Sequence, residues 1–161
     1  MYKLVLYMLV LVVVMQLMAL QLDETGALQR VFAVKHAVNR AVHAGALQLD
    51  EYKLAQGVIS IDAGRAEQAA MDYLRANLRL DAQLAPLSGS LLRSPVEVLD
   101  FAVVSEHAEF PHRYVNEAHN FEVVLRRPGT VLLVRAEYPR MFGLLAPENW
   151  VVKGAAEVYE P

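Results

Sequence analysis

Hydrophobic residues form two kinds of pattern along this chain. A nearly unbroken apolar run comes first, and periodic or alternating patterns follow it. The run from Leu4 to Leu22 holds 19 residues without a charge, a Gly or a Pro. As a helix it would be about 28 Å long, close to the roughly 30 Å hydrocarbon core of a bilayer. The pattern therefore predicts a transmembrane helix over residues 1–22 and a separate domain over residues 23–161.

Two other interpretations of this run stay open. As a cleaved signal peptide, the run would offer Ala19 as the small residue before the cut, although Leu17 fits the small-x-small pattern poorly. As part of a soluble protein, the run would be a core or oligomer helix. An uncleaved anchor is favoured because the apolar run continues past Ala19 to Leu22.

Polar residues inside and beside the run predict its orientation and its contacts. Lys3 precedes it, whereas Asp23 and Glu24 follow it, so the N-terminus is expected in the cytoplasm and the domain outside the cell membrane. Gln16 and Gln21 are candidate contacts with other spans, since an amide in lipid can hydrogen-bond to a neighbouring helix. They lie about 140° apart around a helix axis, so one partner helix would not satisfy both.

An amphipathic helix is predicted directly after the run, from Gly26 to Ala46. Its apolar residues recur at spacings of three and four, which places most of them on one broad face. Gly45 is a helix end signal. Gly26 is the one break signal between this helix and the run, so the two are expected to form one long helix bent at Gly26. The predicted buried face consists of Leu28, Val31, Phe32, Val34, Val38, Ala41, Val42 and Ala44.

A second amphipathic helix is predicted over Ala63–Arg79, with Asp62 as its N-cap. A short helical turn over Leu47–Gln56 and a short strand over Val58–Ile61 are predicted before it. The apolar stripe of this second helix comprises Ala66, Ala69, Ala70, Tyr73, Leu74 and Leu78.

The second half of the chain alternates as strands do. The Pro128-Gly129 pair suits a type II turn, which predicts a hairpin between the strands on either side of it. Helices followed by strands joined by loops favour an antiparallel sheet covered by helix. The predicted fold class is therefore α+β: a long N-terminal helix, a second helix and a four-stranded, mainly antiparallel sheet. The four strands are Val96–Ser105, Asn120–Arg126, Val131–Tyr138 and Trp150–Tyr159.

Composition narrows the functional classes. The net charge is −3 and the basic residues are spread along the chain, so no nucleic-acid partner is expected. The absence of Cys removes disulfides, thiolate metal sites and cysteine nucleophiles. No Gly-x-Ser-x-Gly elbow, phosphate-binding loop or His-Glu-x-x-His motif occurs. We therefore expect a protein that is not an enzyme and uses no cofactor.

One polar stretch, residues 105–120, supports an alternative function. His107, His112, His119 and Glu109 could together close a zinc site, since imidazole and carboxylate suit that ion. Their spacings match no compact zinc signature, and a polar connection between strands is the favoured interpretation. Glu106 and Glu109 could likewise form an acid/base pair. The alternative is thus an exported binding or metal-dependent domain with its site in this loop.

Three further polar residues, His36, Arg40 and His43, share one face of the first amphipathic helix. They could bind an anion or a lipid headgroup, but a solvated face is the favoured interpretation. Lys35 lies at the edge of the apolar stripe and is expected to extend its stem to keep its charge at the surface.

Together, the apolar run and the Ala/Val-rich helix after it carry a family resemblance. Residues 27–47 read ALQRVFAVKHAVNRAVHAGAL. A span followed by a helix of this texture and a mostly β domain resembles the TadE/TadG-like minor pilins (pseudopilins) of tight-adherence pili. The span lacks the Gly before it and the Glu within it that pilin-like proteins usually carry. The resemblance implies an anchored pilin-like subunit or accessory of a pilus or secretion apparatus. Its partners would be the membrane and other membrane proteins of that apparatus, with a homo-oligomer possible.

Overall fold

The computed structural model describes residues 2–138, 142 and 146–159, and within them helices precede strands. The α+β class predicted from the sequence is confirmed. A 3₁₀ turn, Glu117–His119, lies between the second and third strands. The elements are α1 (Tyr2–Ala46), α2 (Glu51–Ala55), α3 (Ala63–Leu78), β1 (Glu97–Val104), β2 (His112–Asn116), β3 (Phe121–Leu125), β4 (Gly129–Tyr138) and β5 (Glu148–Glu157).

Helix α1 is continuous for 45 residues, or about 68 Å at the usual rise per residue. The predicted joining of the apolar run to the amphipathic helix is thereby confirmed. A single Gly in a helix costs only about 1 kcal/mol, so Gly26 does not interrupt it. Residues 2–18 are exposed throughout, whereas the helix from Asp23 onward packs on the domain.

The packed half of α1 contacts the domain through small side chains. Ala37 and Ala41 are buried, and a Cβ on Gly154 of β5 would lie 2.7 Å from the Val38 Cγ1 atom. Such close packing leaves little room for large residues on this face. Leu28 and Phe32 were predicted on the buried face, but they lie on the far side of the helix and are 50% and 60% exposed.

Helix α3 begins where the sequence predicts. The Asp62 carboxylate caps it by accepting a hydrogen bond from the Arg65 backbone N–H at 3.0 Å. Of the predicted stripe, Tyr73 is wrongly placed, since it is 53% exposed. The strand predicted over Val58–Ile61 is also wrong, because within the described part of the chain this segment forms an isolated bridge, Ile61 to Leu49, and no ladder. The buried residues of α3 are Ala66, Ala70, Leu74 and Leu78.

The strands form two sheets instead of the predicted one of four strands. One is three-stranded and antiparallel in the order β1-β4-β5, and the other is the β2-β3 hairpin. The predicted hairpin around Pro128-Gly129 is wrong. Gly129 is already a β4 residue, paired with Val104 and with Glu157. Strand β3 pairs instead with β2, which lies inside the stretch predicted as a loop. In the connection predicted between the strands that end at Tyr138 and begin at Trp150, residues 139–141 and 143–145 lie outside the described residues.

Strand β4 is central and buried on both faces. Leu132 and Val134 pack with α1 and α3 on one face, together with Ala136 and Tyr138. Val131 and Leu133 pack on the other face against the β2-β3 hairpin. The domain thus has three layers, with helices, the three-stranded sheet and the hairpin stacked in that order.

Candidate functional site

The first half of α1 is the largest apolar surface that the described residues leave exposed. Its most apolar 18-residue window has a mean hydropathy of 2.4, and none of that window is buried. By length and composition the helix can cross a membrane. Because none of this window is buried by the residues that the structure describes, it does not behave as a core helix of the folded domain.

The first fully buried residue of α1 follows the apolar run directly. Leu22 is 56% exposed, whereas the next residue, Asp23, is 1% exposed. The Asp23 Oδ1 atom accepts a hydrogen bond from the Phe142 backbone N–H at 3.0 Å. The domain is therefore attached directly to the end of the apolar segment. Sequence reasoning used Asp23 only as a flanking charge and missed this contact.

Gln16 and Gln21 both lie in the exposed half of α1, on different faces. By helical geometry, Gln16 shares a face with Asp23 and Val34, which pack on the domain. Gln21 shares the opposite face with Leu28 and Phe32. A neighbouring span that contacts Gln21 would therefore avoid the domain, whereas one at Gln16 would lie beneath it.

The residues proposed for a metal site do not come together. His107 lies in the connection after β1 with its side chain 92% exposed. His112 begins β2 and His119 lies beyond the other end of that strand, while Glu109 is exposed. Among the residues that the structure describes, no three His, Asp or Glu side chains could jointly hold a metal ion.

A different cluster forms in this stretch, centred on Glu106. Its carboxylate is hydrogen-bonded and ion-paired to the Lys53 ammonium of α2, and it accepts a hydrogen bond from the Ser105 hydroxyl at 2.8 Å. The Ser105 Oγ atom in turn accepts from the Ile61 backbone N–H at 2.8 Å and lies 3.2 Å from the buried Ser60 Oγ atom. No local sequence pattern points to this cluster, since Lys53 and Glu106 are 53 residues apart.

The electrostatics of this cluster favour the charged forms of Glu106 and Lys53. Hydrogen bonds from Lys53, Ser60 and Ser105 lower the pKa of Glu106, and the hydrogen bond to Glu106 raises the pKa of Lys53. Lys53 donates to the Ser60 hydroxyl at 3.4 Å, but a lysine stabilised as a cation is not a general base. Glu106 is likewise held ionised and is not available to form an acid/base pair with Glu109. The cluster fastens α2 to the β1–β2 connection.

On the polar face of α1, Arg40 contacts another helix. The Arg40 Nη1 atom donates to the Asn77 Oδ1 atom of α3 at 2.7 Å, while His36 and His43 are exposed. Arg40 lies about 27 Å beyond Leu22 along the helix axis, too far for contact with lipid headgroups. Lys35 extends along the domain and its ammonium donates to the Lys153 carbonyl, as its predicted surface position allows.

The chain matches no protein-family model, no curated protein and no solved structure. The TadE/TadG-like resemblance therefore stays an expectation from the sequence. The site with the clearest physical character is the exposed apolar half of α1 together with its junction to the domain.

Proposed function

We propose that this protein is a single-pass membrane protein and a pilin-like structural or assembly component of a pilus or secretion apparatus. The observation that carries the proposal is the change in burial along α1. Its first half is exposed and apolar, and its second half packs on the domain. An apolar surface of this size in water would be strongly unfavourable, and a bilayer would cover it.

The length of the apolar run supports an uncleaved anchor over a signal peptide. The run continues past Ala19 to Leu22, whereas the apolar core of a signal peptide is about 7–15 residues long. The continuity of α1 supports a structural role. The domain is attached to the span by a helix and the Asp23 contact, without a flexible linker, so span and domain would move as one body.

The charges that flank the span set the proposed orientation. Lys3 lies on its N-terminal side and Asp23 and Glu24 on its C-terminal side, so the domain would be extracytoplasmic. The metal-dependent alternative has lost its basis in residues 105–120, since the candidate ligands lie apart and Glu106 is engaged by Lys53.

The orientation can be tested by thiol labelling, because the chain contains no Cys. Single-cysteine variants Glu67→Cys, on the exposed surface of α3, and Tyr2→Cys, before the span, form a matched pair. A membrane-impermeant maleimide should label Glu67→Cys in intact cells and Tyr2→Cys only after permeabilisation. Labelling in the reverse order would contradict the proposed topology.

A further inference from the structure

A seam of residues runs along α1 on the side away from the domain. Beyond the apolar run, Leu28 and Phe32 are exposed there by 50% and 60%. They continue a spacing of alternately three and four residues that is also met by Met18, Gln21 and Thr25, all exposed. A 3-4 spacing defines the contact seam between two helices that pack at a small crossing angle.

Lipid does not account for the outer part of this seam. Leu28 and Phe32 lie about 9 and 15 Å beyond Leu22 along the helix axis, whereas the polar layer of a leaflet is only about 5–8 Å thick. A helix tilt of about 20°, the average for membrane spans, still leaves Phe32 above that layer. Lipid therefore does not cover the apolar surface at Phe32, whereas a protein partner would.

The chemistry of the seam suits a second copy of the same chain. Gln21 carries both donors and an acceptor, so in a parallel pair it can hydrogen-bond to its counterpart at the same depth. The Thr25 hydroxyl is satisfied within its own helix, where it donates to the Gln21 carbonyl at 2.8 Å. The seam ends after Phe32, where the exposed Lys35 and His36 follow.

We propose that two copies of this chain form a parallel dimer along α1, through Met18, Gln21, Thr25, Leu28 and Phe32. The proposal rests on the membrane anchorage proposed above. Because the buried residues of α1 face the opposite side, the two domains would lie on the outer sides of the helix pair. The geometry assigns the contact between spans to Gln21 and leaves Gln16 outside it.

Disulfide formation between full-length chains in phospholipid vesicles tests the seam. Leu28→Cys and Gln29→Cys are adjacent, both wild-type side chains are exposed, and they point about 100° apart. Under mild oxidation, Leu28→Cys should give about fivefold or more disulfide-linked dimer than Gln29→Cys, since seam positions face each other directly. Equal yields from the two variants would overturn the seam.

A second variant tests the role of Gln21. Adding Gln21→Leu to Leu28→Cys should lower the dimer yield about fivefold at high lipid dilution, as expected for loss of an interhelical hydrogen bond. An unchanged yield would remove Gln21 from the contact.

Failure of the dimer and failure of membrane anchorage are distinguishable in the same sample. Chains that resist carbonate extraction from the vesicles but give no Leu28→Cys dimer would overturn the dimer alone. Chains released by carbonate would contradict the anchorage on which it rests. A photo-crosslinker at Phe32 that joins a different membrane protein, with no self-linked product, would also overturn the dimer.

Discussion

Glu106 shows how single residues hold distant parts of this domain together. Its carboxylate joins α2, through Lys53, to the connection after β1, beside Ser105. The pKa of Glu106 is lowered by these hydrogen bonds, so the unfolded chain binds more protons than the folded one at acidic pH. The stabilisation is complete above the unfolded pKa of about 4.3 and is lost as the pH falls further.

Replacing Glu106 by Gln should therefore destabilise the domain in a pH-dependent way. We expect the loss in free energy of unfolding to be larger at pH 7 than at pH 3.5. Urea unfolding of the full chain in detergent can be followed through Trp150, the one Trp of the chain, which packs on Tyr138. Glu109→Gln, at an exposed carboxyl of the same connection, is the control. Equal losses at both pH values would contradict this account of the cluster.

At the scale of elements, features that depend on nearby residues could be predicted from the sequence, whereas the pairing of distant strands could not. The Asp62 cap and the periodicity of α3 act within a few residues, and both are confirmed. The predicted β3–β4 hairpin is wrong because Gly129 belongs to β4. It pairs there with Val104 and Glu157, which are distant from it in sequence. Strand β2 was missed because most of its residues are polar, so the inward-facing Tyr114 did not stand out as part of an alternating pattern. The exposure of Leu28 and Phe32 depends on which residues α1 meets, which periodicity alone does not specify.

The two faces of α1 should respond differently to the same substitution. Phe32→Ser, on the exposed face, should change the free energy of unfolding by no more than about 0.5 kcal/mol. Val38→Ser, at a fully buried position, should lower it by about 2–4 kcal/mol, because it leaves a cavity and buries a hydroxyl. Urea unfolding of both variants in detergent measures the difference. A large loss in Phe32→Ser would mean that Phe32 is part of the core.

At the scale of the whole molecule, the two halves of α1 have different surroundings. Its apolar half has no counterpart in the described part of the domain, and its second half forms one wall of the core. The sequence predicted both halves and their continuity because each has a strong pattern of its own. It could not predict that burial starts at Asp23, since that depends on the contact with Phe142. Under the proposed function, span and domain would form one rigid, membrane-anchored subunit.

The intact mass of the protein recovered from carbonate-washed membranes tests this account most directly. An uncleaved single-pass anchor predicts that the chain stays in the washed membranes at its full mass of 18.0 kDa. Recovery in the soluble fraction of a shorter chain that lacks residues 1–19 would contradict the account, because α1 would then be a signal peptide and not an anchor.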